Sequence, residues 1–189
     1  MSYSYNNPMD RLTNLLASAT LGVHDDAARA LQEASGLAGS GPAALLALEE
    51  FLGGTPIGRL ADALGLTHSG AVRLVALLER DGLAERRPGA GDRRQVEVHL
   101  TAAGRTRAAA ARSAREAVLV ETLGGLAAGD AARLEALLEQ VVAARVAARM
   151  ARRRAGEPGG AWWCRTCDFT ACGRPEGRCP AQVAAADTL

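Results

Sequence analysis

Apolar residues recur with helical spacing through the first part of the chain. Residues 10–34 carry leucine, alanine and valine three or four positions apart, which is typical of one face of an amphipathic helix. A second apolar stretch follows Ser40, and a third opens at Pro56 as the first helical residue. Thr67 caps a fourth stretch, which stops at Gly82. The pattern predicts four helices, of which the last two are separated only by Gly-Leu-Thr and form a helix-turn-helix.

After Gly82 the pattern changes from helical spacing to alternation. Residues 83–86 predict a short strand, and residues 87–94 predict a loop that contains Pro88 and two glycines. Residues 95–100 alternate polar and apolar, which is typical of a half-buried strand. A hairpin directly after a helix-turn-helix is a winged helix. The predicted fold class is therefore mainly α, with a winged helix-turn-helix, flanking helices and a short two-stranded wing.

Two further helices follow the hairpin. Thr101 caps the first, which breaks at the Gly124-Gly125 pair, and Asp130 caps the second. The second helix has a wide apolar stripe formed by Leu134, Leu137, Leu138, Val141, Val142, Val146 and Met150. A winged helix of this size cannot cover this stripe and the apolar face of the first helix. These faces either pack on one another within the chain or pack across a two-fold axis, and we expect a homodimer.

The chain divides into four predicted segments. Residues 1–39 form an N-terminal dimerisation helix, and residues 40–100 form the DNA-binding lobe. Residues 101–154 form C-terminal dimerisation helices, and residues 155–189 form a cysteine-rich tail. No apolar run is long enough to cross a bilayer, and the N-terminus lacks the pattern of a signal peptide, so we expect a cytoplasmic protein without a membrane partner.

Arginine is concentrated on the predicted wing. The net charge is only +1, and every one of the 22 basic residues is arginine, so electrostatic function depends on where the charges lie. Arg93 and Arg94 lie near the tip, where an arginine can enter the narrow minor groove of DNA. Arg86 and Arg87 flank the strand and suit phosphate contacts. Four arginines on so short a hairpin argue against a merely solvated turn.

The segment from residue 57 to residue 104 contains the motifs LAxxLGL, RLVxxLExxGL, GDRR and VxLTxxG. This combination resembles the DNA-binding lobe of the MarR family of bacterial transcriptional regulators. The resemblance implies a dimer that binds double-stranded, pseudo-palindromic operator DNA, usually as a repressor. It also implies a response to small phenolic ligands or to oxidation, and a pairing of Asp92 with an arginine of the wing. Leu77 departs from the pattern, because family members often carry arginine there.

The fourth helix is the predicted recognition helix. Its buried face contains Ala71, Leu74, Val75 and Leu78. This leaves an exposed face made of His68, Ser69, Val72, Arg73 and Ala76. An arginine can bind guanine through two hydrogen bonds, and a small apolar side chain can contact a thymine methyl group. Arg73 either contacts a base or binds phosphate and solvent. His68 reads a base, donates a hydrogen bond to a phosphate or is simply a surface residue. Thr67 is expected to cap the helix, and a contact of its hydroxyl or backbone amide with a phosphate is a second role open to it.

The tail contains four cysteines with the spacing Cys164-x2-Cys167-x4-Cys172-x6-Cys179. Four thiols so close together in a reducing compartment argue against structural disulfides. They suit a tetrahedral zinc site, and the closing Cys-Pro pair also suits an iron–sulfur cluster. Free redox-active thiols are the third interpretation. A metal or redox centre beside the dimer helices leads to the hypothesis that the protein senses metal or redox state.

The residues also bear on two other functional classes. We expect no enzyme, because none of the three histidines lies in a nucleophile or metalloenzyme motif. The alternative is a zinc-stabilised protein-interaction module without specific DNA binding, against which the arginine-rich wing argues. A small-molecule effector would bind near Ala17, Thr20 and His24 of the first helix, and the residues do not identify it.

Overall fold

The computed structural model describes residues 8–89, 95–157 and 160–186. Within these ranges the chain forms seven α-helices and three strands. The helices are α1 (Pro8–Ser35), α2 (Gly41–Ala47), α3 (Ile57–Leu64), α4 (His68–Arg80), α5 (Ala102–Leu123), α6 (Ala128–Arg154) and α7 (Pro180–Ala186). The strands are β1 (Thr55–Pro56), β2 (Ala84–Pro88) and β3 (Val96–Leu100). A π-helical turn at Leu48–Leu52 extends α2, and a 3-10 turn spans Trp163–Thr166.

The winged helix-turn-helix is confirmed, and the turn between its two short helices is built as the sequence predicts. Gly65 ends α3 with a φ of 66°, a left-handed conformation that favours glycine. Thr67 caps α4, because its side-chain oxygen accepts a hydrogen bond from the Gly70 amide at 3.1 Å. The mainly α fold class is confirmed as well.

The sheet has three antiparallel strands in the order β1-β3-β2: the predicted two-stranded wing is formed by β2 and β3, and β1 is a third strand that the sequence did not predict. Thr55 pairs with Val98 and Pro56 pairs with Glu97. Pro56 has an extended backbone and precedes α3 as its N-cap, whereas the sequence predicted it as the first helical residue. Proline cannot donate a backbone hydrogen bond, and this defect is tolerated at the edge of a sheet. β2 also runs to Pro88, two residues further than predicted.

The hydrophobic core lies between α2, α3, α4, the sheet and α5. Leu45, Leu60, Val75 and Val98 are at most 1% exposed and represent four of these elements. The predicted buried face of α4 is confirmed for Ala71, Val75 and Leu78, and Leu74 is partly buried against the same cluster. The core thus fixes the position of α4 and leaves its other face exposed.

Gly104 allows the start of α5 to pack tightly on the residues that follow the recognition helix. A Cβ atom at this position would lie 1.9 Å from the carbonyl oxygen of Leu83. Thr101 caps α5 by accepting from the Gly104 amide at 3.0 Å, and its hydroxyl donates to the Gly82 carbonyl at 2.7 Å. The glycine of the LTxxG motif is therefore required by a close backbone approach.

The flanking helices expose large apolar side chains. α1 packs along α5, and Arg107 of α5 donates to the Ser35 carbonyl at the end of α1. The exposed apolar residues of α1 include Leu12, Leu15, Leu16 and Leu21, and those of the later helices include Val120, Leu123, Leu137, Leu138 and Val141. The predicted N-cap at Asp130 was wrong: α6 begins earlier with Ala127 as its N-cap, and Asp130 lies in the first turn. No helix of the described ranges is long and apolar enough to cross a membrane.

Candidate nucleic-acid interface and four-cysteine cavity

The exposed face of α4 carries the residues that the sequence predicts to contact DNA. His68, Ser69 and Arg73 are exposed, and Val72 is half-buried. The hydroxyl groups of Thr67 and Ser69 lie 3.2 Å apart at the start of the helix. Polar donors and one small apolar side chain are thus placed together on the surface that would enter a major groove.

Arg86 of β2 is bound to α4. Its guanidinium lies 2.9 Å from a carboxylate oxygen of Glu79 and donates to the Val72 carbonyl at 3.3 Å. The backbone amide of Arg86 also donates to the Glu79 carboxylate at 3.0 Å. These bonds hold the wing against the recognition helix, a role of Arg86 that the sequence does not predict. The predicted phosphate contact of Arg86 stays a prediction.

The remaining wing residues are described in part. Arg87 forms an ion pair with Glu85 of the same strand. The pairing of β2 with β3 reaches Pro88 and Val96, and the Gly89 amide donates to the Gln95 carbonyl at 2.8 Å. The predicted contacts of Asp92, Arg93 and Arg94 lie outside the described residues.

The four cysteines of the tail line one cavity of about 500 Å³ between α6 and α7. Cys164 lies in the 3-10 turn, and Cys179, which is buried, directly precedes α7. Apolar side chains provide most of the other lining, namely Val141, Val142, Trp163, Pro180 and Ala181, together with Arg145. We call this space the four-cysteine cavity, and it shows that the fold brings all four thiols to one place.

The thiols of the cavity lie close enough to shift one another's pKa. A hydrogen bond with Cys167 lowers the pKa of Cys164 to about 6 against the opposing effect of burial, and the charges of Arg174 and Arg149 act in the same direction as the bond. The same bond and burial raise the pKa of Cys167. Burial raises the pKa of Cys172, whose thiol donates a hydrogen bond to the Phe169 carbonyl at 3.5 Å. Across residues 8–89, 95–157 and 160–186, no three His, Cys, Asp or Glu side chains form a group that could hold one metal ion.

An aromatic stack attaches the tail to the DNA-binding lobe. Phe51 of the π-helical turn stacks on both Trp162 and Phe169, with ring centroids 6.0 and 5.1 Å away and nearly parallel planes. The Trp162 amide donates to the Ala63 carbonyl of α3 at 2.8 Å. Trp162 lies two positions before Cys164, and Phe169 lies two positions after Cys167. Movement of these cysteines would therefore act directly on the stack.

Charged groups reinforce this attachment. Arg112 of α5 lies 3.1 Å from Glu49, 2.8 Å from Glu50 and 3.8 Å from Asp168 of the tail. Burial opposes the charge of Arg112, but the hydrogen bond to Glu49 and the charges of both glutamates raise its pKa. Glu50 also accepts a hydrogen bond from the Phe169 amide at 2.9 Å. We call this set of residues the tail clamp: Glu49, Glu50, Phe51, Arg112, Trp162, Asp168 and Phe169.

The tail clamp is not predicted by the sequence. Its partners are far apart in the chain and follow no periodic pattern, so local spacing carried no indication of the contact. A compositional signal was present, because the chain has only two phenylalanines and two tryptophans. All four lie in the stack or at the four-cysteine cavity.

Comparisons with known proteins agree with this architecture. The sequence model of the MarR family matches residues 35–95. CouR from Rhodococcus jostii RHA1, solved with p-coumaroyl-CoA, is 26% identical, with a TM-score of 0.54 over 72% of this chain and 94% of its own. A point mutant of MepR from S. aureus is 20% identical, with a TM-score of 0.63 over 75% of this chain and 98% of its own.

A third solved structure contains DNA. The S. aureus MepR–DNA complex is 19% identical, with a TM-score of 0.54 over 76% of this chain and 99% of its own. None of the curated protein sequences compared with the chain matches it. The motifs, the fold and the family match agree: residues 35–95 are similar to the MarR family, and the cysteine-bearing tail lies beyond that match.

Proposed function

We propose that the protein is a dimeric, sequence-specific DNA-binding transcriptional regulator of the MarR type that acts as a repressor in the cytoplasm. The observation that carries the proposal is the set of bonds between the wing and the recognition helix α4, the two elements predicted to face DNA. Arg86 bonds to both Glu79 and Val72 of α4, so β2 of the wing is attached to the recognition helix. In such a lobe the helix occupies a major groove while the wing reaches the adjacent minor groove.

Dimer formation is supported by the flanking helices. Leu12, Leu15 and Leu16 of α1 are 57%, 51% and 49% exposed, and Leu137 and Leu138 of α6 are 58% and 47% exposed. Leucines that are exposed at repeated positions along a helix are typical of an interface with a second apolar surface. A second copy of the chain would provide this cover and set the spacing of two operator half-sites.

The tail supplies the proposed sensory function. The four cysteines would hold zinc or an iron–sulfur cluster, or act as free redox-active thiols. The tail clamp supports a link to DNA binding, because Trp162 bonds to α3 and Phe169 bonds to Glu50 beside it. Loss or oxidation of the centre would loosen this attachment and change the position of the helix-turn-helix.

A small-molecule effector is a further part of the proposal. CouR was solved with p-coumaroyl-CoA, and this supports a ligand for the present protein without identifying its chemistry. Ala17, Thr20 and His24 are exposed on α1 of the single chain. A pocket at these residues would therefore need the partner subunit as its second wall.

Salt-dependent binding to DNA tests the proposal. Anisotropy is measured with labelled duplex from the intergenic region upstream of the protein's own gene and with a shuffled duplex. We expect tight binding to the first alone, weakening steeply with salt because phosphate contacts release counterions. Arg73→Ala should weaken binding, whereas Arg29→Ala, which removes the same charge from α1, should not. Equal affinity for both duplexes, or a monomeric mass by ultracentrifugation, would contradict the proposal.

A further inference from the structure

We propose that the end of α6 carries a second DNA-binding surface, which binds phosphates of the duplex that flanks each operator half-site. The surface consists of Arg152, Arg153 and Arg154 in the last turn of α6 together with Arg59 of α3, and we call it the flanking surface. The inference rests on the proposed function and deepens it, because it assigns part of the duplex to residues outside the recognition helix and the wing.

Positive charge is concentrated in the last part of α6 and in the tail. Residues 145–179 contain eight arginines and three acidic residues, although the net charge of the whole chain is only +1. Arg152, Arg153 and Arg154 are exposed, and Glu157 lies 3.9 Å from the Arg152 guanidinium. The placement of the charges therefore produces a local positive potential that attracts a polyanion.

The dipole of α6 does not explain this concentration of charge. A helix dipole favours cations in the last turn of its own helix. Arg59, however, lies on α3, and Arg165 lies in the 3-10 turn of the tail. Burial lowers the pKa of Arg149, and the charges of Arg153, Arg152 and Arg165 lower it further. Like charges from separate elements thus lie close together, and a bound anion would relieve their repulsion.

A short series of contacts places the end of α6 beside the helix-turn-helix. Arg149 lies about one helical turn before Arg153. Its guanidinium donates to the Gly160 carbonyl at 2.8 Å and to the Ala161 carbonyl at 2.5 Å. A Cβ atom at Gly65 would lie 2.8 Å from the backbone nitrogen of Ala161. The end of α6 is therefore held, through two residues of the tail, at the turn between α3 and α4.

Arg59 connects the flanking surface to α3. Arg59 is exposed, and its guanidinium lies 5.3 Å from the centre of the Trp162 ring, while the Trp162 amide bonds to Ala63 of the same helix. When a helix-turn-helix binds DNA, its first helix crosses the phosphate backbone while the second enters the major groove. Arg59 thus lies on the helix that meets the backbone, and the tail brings the arginines of α6 to that helix.

Duplex DNA is the polyanion that suits this position. It has one negative charge for about every 1.7 Å of its axis, and a duplex whose major groove contains α4 continues past the turn between α3 and α4. Guanidinium groups bind phosphates strongly without reading the base sequence. We therefore expect the flanking surface to lengthen the bound segment of each half-site and to add affinity without adding sequence specificity.

Operator duplexes of two lengths test the inference. One contains the operator alone, and the other adds unrelated sequence of about one helical turn on each side. The affinity of the full chain is measured by anisotropy at a series of salt concentrations. We expect tighter binding and a steeper salt dependence with the long duplex, because each added phosphate contact changes the slope of log K against log salt by about 0.9. Equal affinities and equal slopes would overturn the inference, and this comparison needs no variant.

Two triple variants locate the added affinity. Arg152→Gln, Arg153→Gln and Arg154→Gln together remove the charge with little change in helix propensity, so this variant should bind both duplexes alike. Replacement of the same three residues by lysine retains the charge and should retain the preference for the long duplex, since a point charge also binds phosphate. An undiminished preference in the glutamine variant would overturn the inference.

A matched control removes the same charge elsewhere. Arg11→Gln, Arg29→Gln and Arg133→Gln together change three exposed arginines of α1 and the first part of α6. This variant should retain the preference for the long duplex. A loss equal to that of the glutamine variant at the end of α6 would show that net charge, and not the flanking surface, produces the effect, and would overturn the inference.

The outcomes distinguish the flanking surface from the proposed function. Specific binding to the operator without any effect of the flanks would overturn the flanking surface and leave the regulator intact. Failure to bind either duplex would contradict the regulator itself. Vesicles that contain anionic lipid are the last probe: binding that requires the three arginines of α6, without any effect of the DNA flanks, would assign the surface to a membrane and overturn the inference.

Discussion

The amide of Trp162 donates a hydrogen bond to the carbonyl of Ala63, which joins the tail to the last turn of α3 at 2.8 Å. The bond occurs where a helix leaves its final carbonyls without an intrahelical partner. Trp162 also stacks on Phe51, so the same residue contributes a polar and an apolar attachment. The tail is therefore part of the folded lobe and not an appendage beside it.

Removal of the Trp162 side chain should destabilise the lobe. We expect Trp162→Ala to lower the free energy of unfolding by about 2 kcal/mol, because it removes the aromatic stack and opens a gap against the core. The measurement is urea denaturation of the metal-free protein. Trp163→Ala is the matched control and should cost less, because Trp163 is 38% exposed and lies outside the core cluster. Equal losses in the two variants would contradict the tail clamp.

Arg86 should support operator binding mainly by holding the wing against α4, and less by contacting a DNA phosphate. We expect Arg86→Ala to cost roughly 1 kcal/mol of stability, because the partly exposed ion pair and hydrogen bonds to α4 are lost. Operator affinity should fall as well, since the wing is released from the recognition helix. Glu79→Ala removes the same ion pair and leaves the arginine in place. If Glu79→Ala binds operator normally while Arg86→Ala does not, Arg86 contacts phosphate directly.

A methyl group at position 104 should be poorly tolerated. Gly104→Ala places a Cβ against the Leu83 carbonyl, and we expect a loss of about 3 kcal/mol. The control is Gly129→Ala in α6, where a Cβ meets nothing within 4 Å. That substitution should stabilise the protein by about 0.5 kcal/mol through reduced backbone freedom. Thermal unfolding of both variants provides the comparison, and an unchanged melting temperature for Gly104→Ala would be inconsistent with the packing.

The wing arginines should be required for operator binding. We expect Arg93→Ala and Arg94→Ala each to abolish or strongly weaken binding, because the minor-groove contact is lost, while the far-ultraviolet circular dichroism stays unchanged. Anisotropy with operator duplex is the measurement, and Arg29→Ala again controls for net charge. Wild-type affinity in both wing variants would show that these arginines do not contribute to operator binding.

Cys164 should be the reactive thiol of the metal-free chain. Its pKa is lowered to about 6, so the thiolate is present at neutral pH and is lost as the pH falls through that value. The pKa of Cys167 is raised, so this thiol stays protonated and unreactive. Iodoacetamide labelling, followed by mass spectrometry at a series of pH values on both sides of neutrality, would locate the modification. Faster labelling of Cys167 than of Cys164 at neutral pH would contradict the assigned pair.

The sequence predicted the parts of the fold that depend on local patterns, namely helix caps, turns and strand alternation. Thr67 and Gly65 mark the helix-turn-helix through capping and left-handed geometry, and alternation marks β3. β1 was missed because a two-residue strand has no pattern of its own and exists only through its pairing with Val98 and Glu97. For the same reason the tail clamp escaped prediction, since Phe169 meets Glu50 across 119 positions of the chain.

Gly65, which ends α3 in a left-handed conformation, also lies against the tail. A Cβ at Gly65 would lie 2.8 Å from the backbone nitrogen of Ala161, so the tail rests on the corner between the two DNA-binding helices. Cys164, the thiol nearest in the chain, lies only three positions from Ala161 at that corner. A change in the tail is therefore placed to reach the turn between α3 and α4 through this contact.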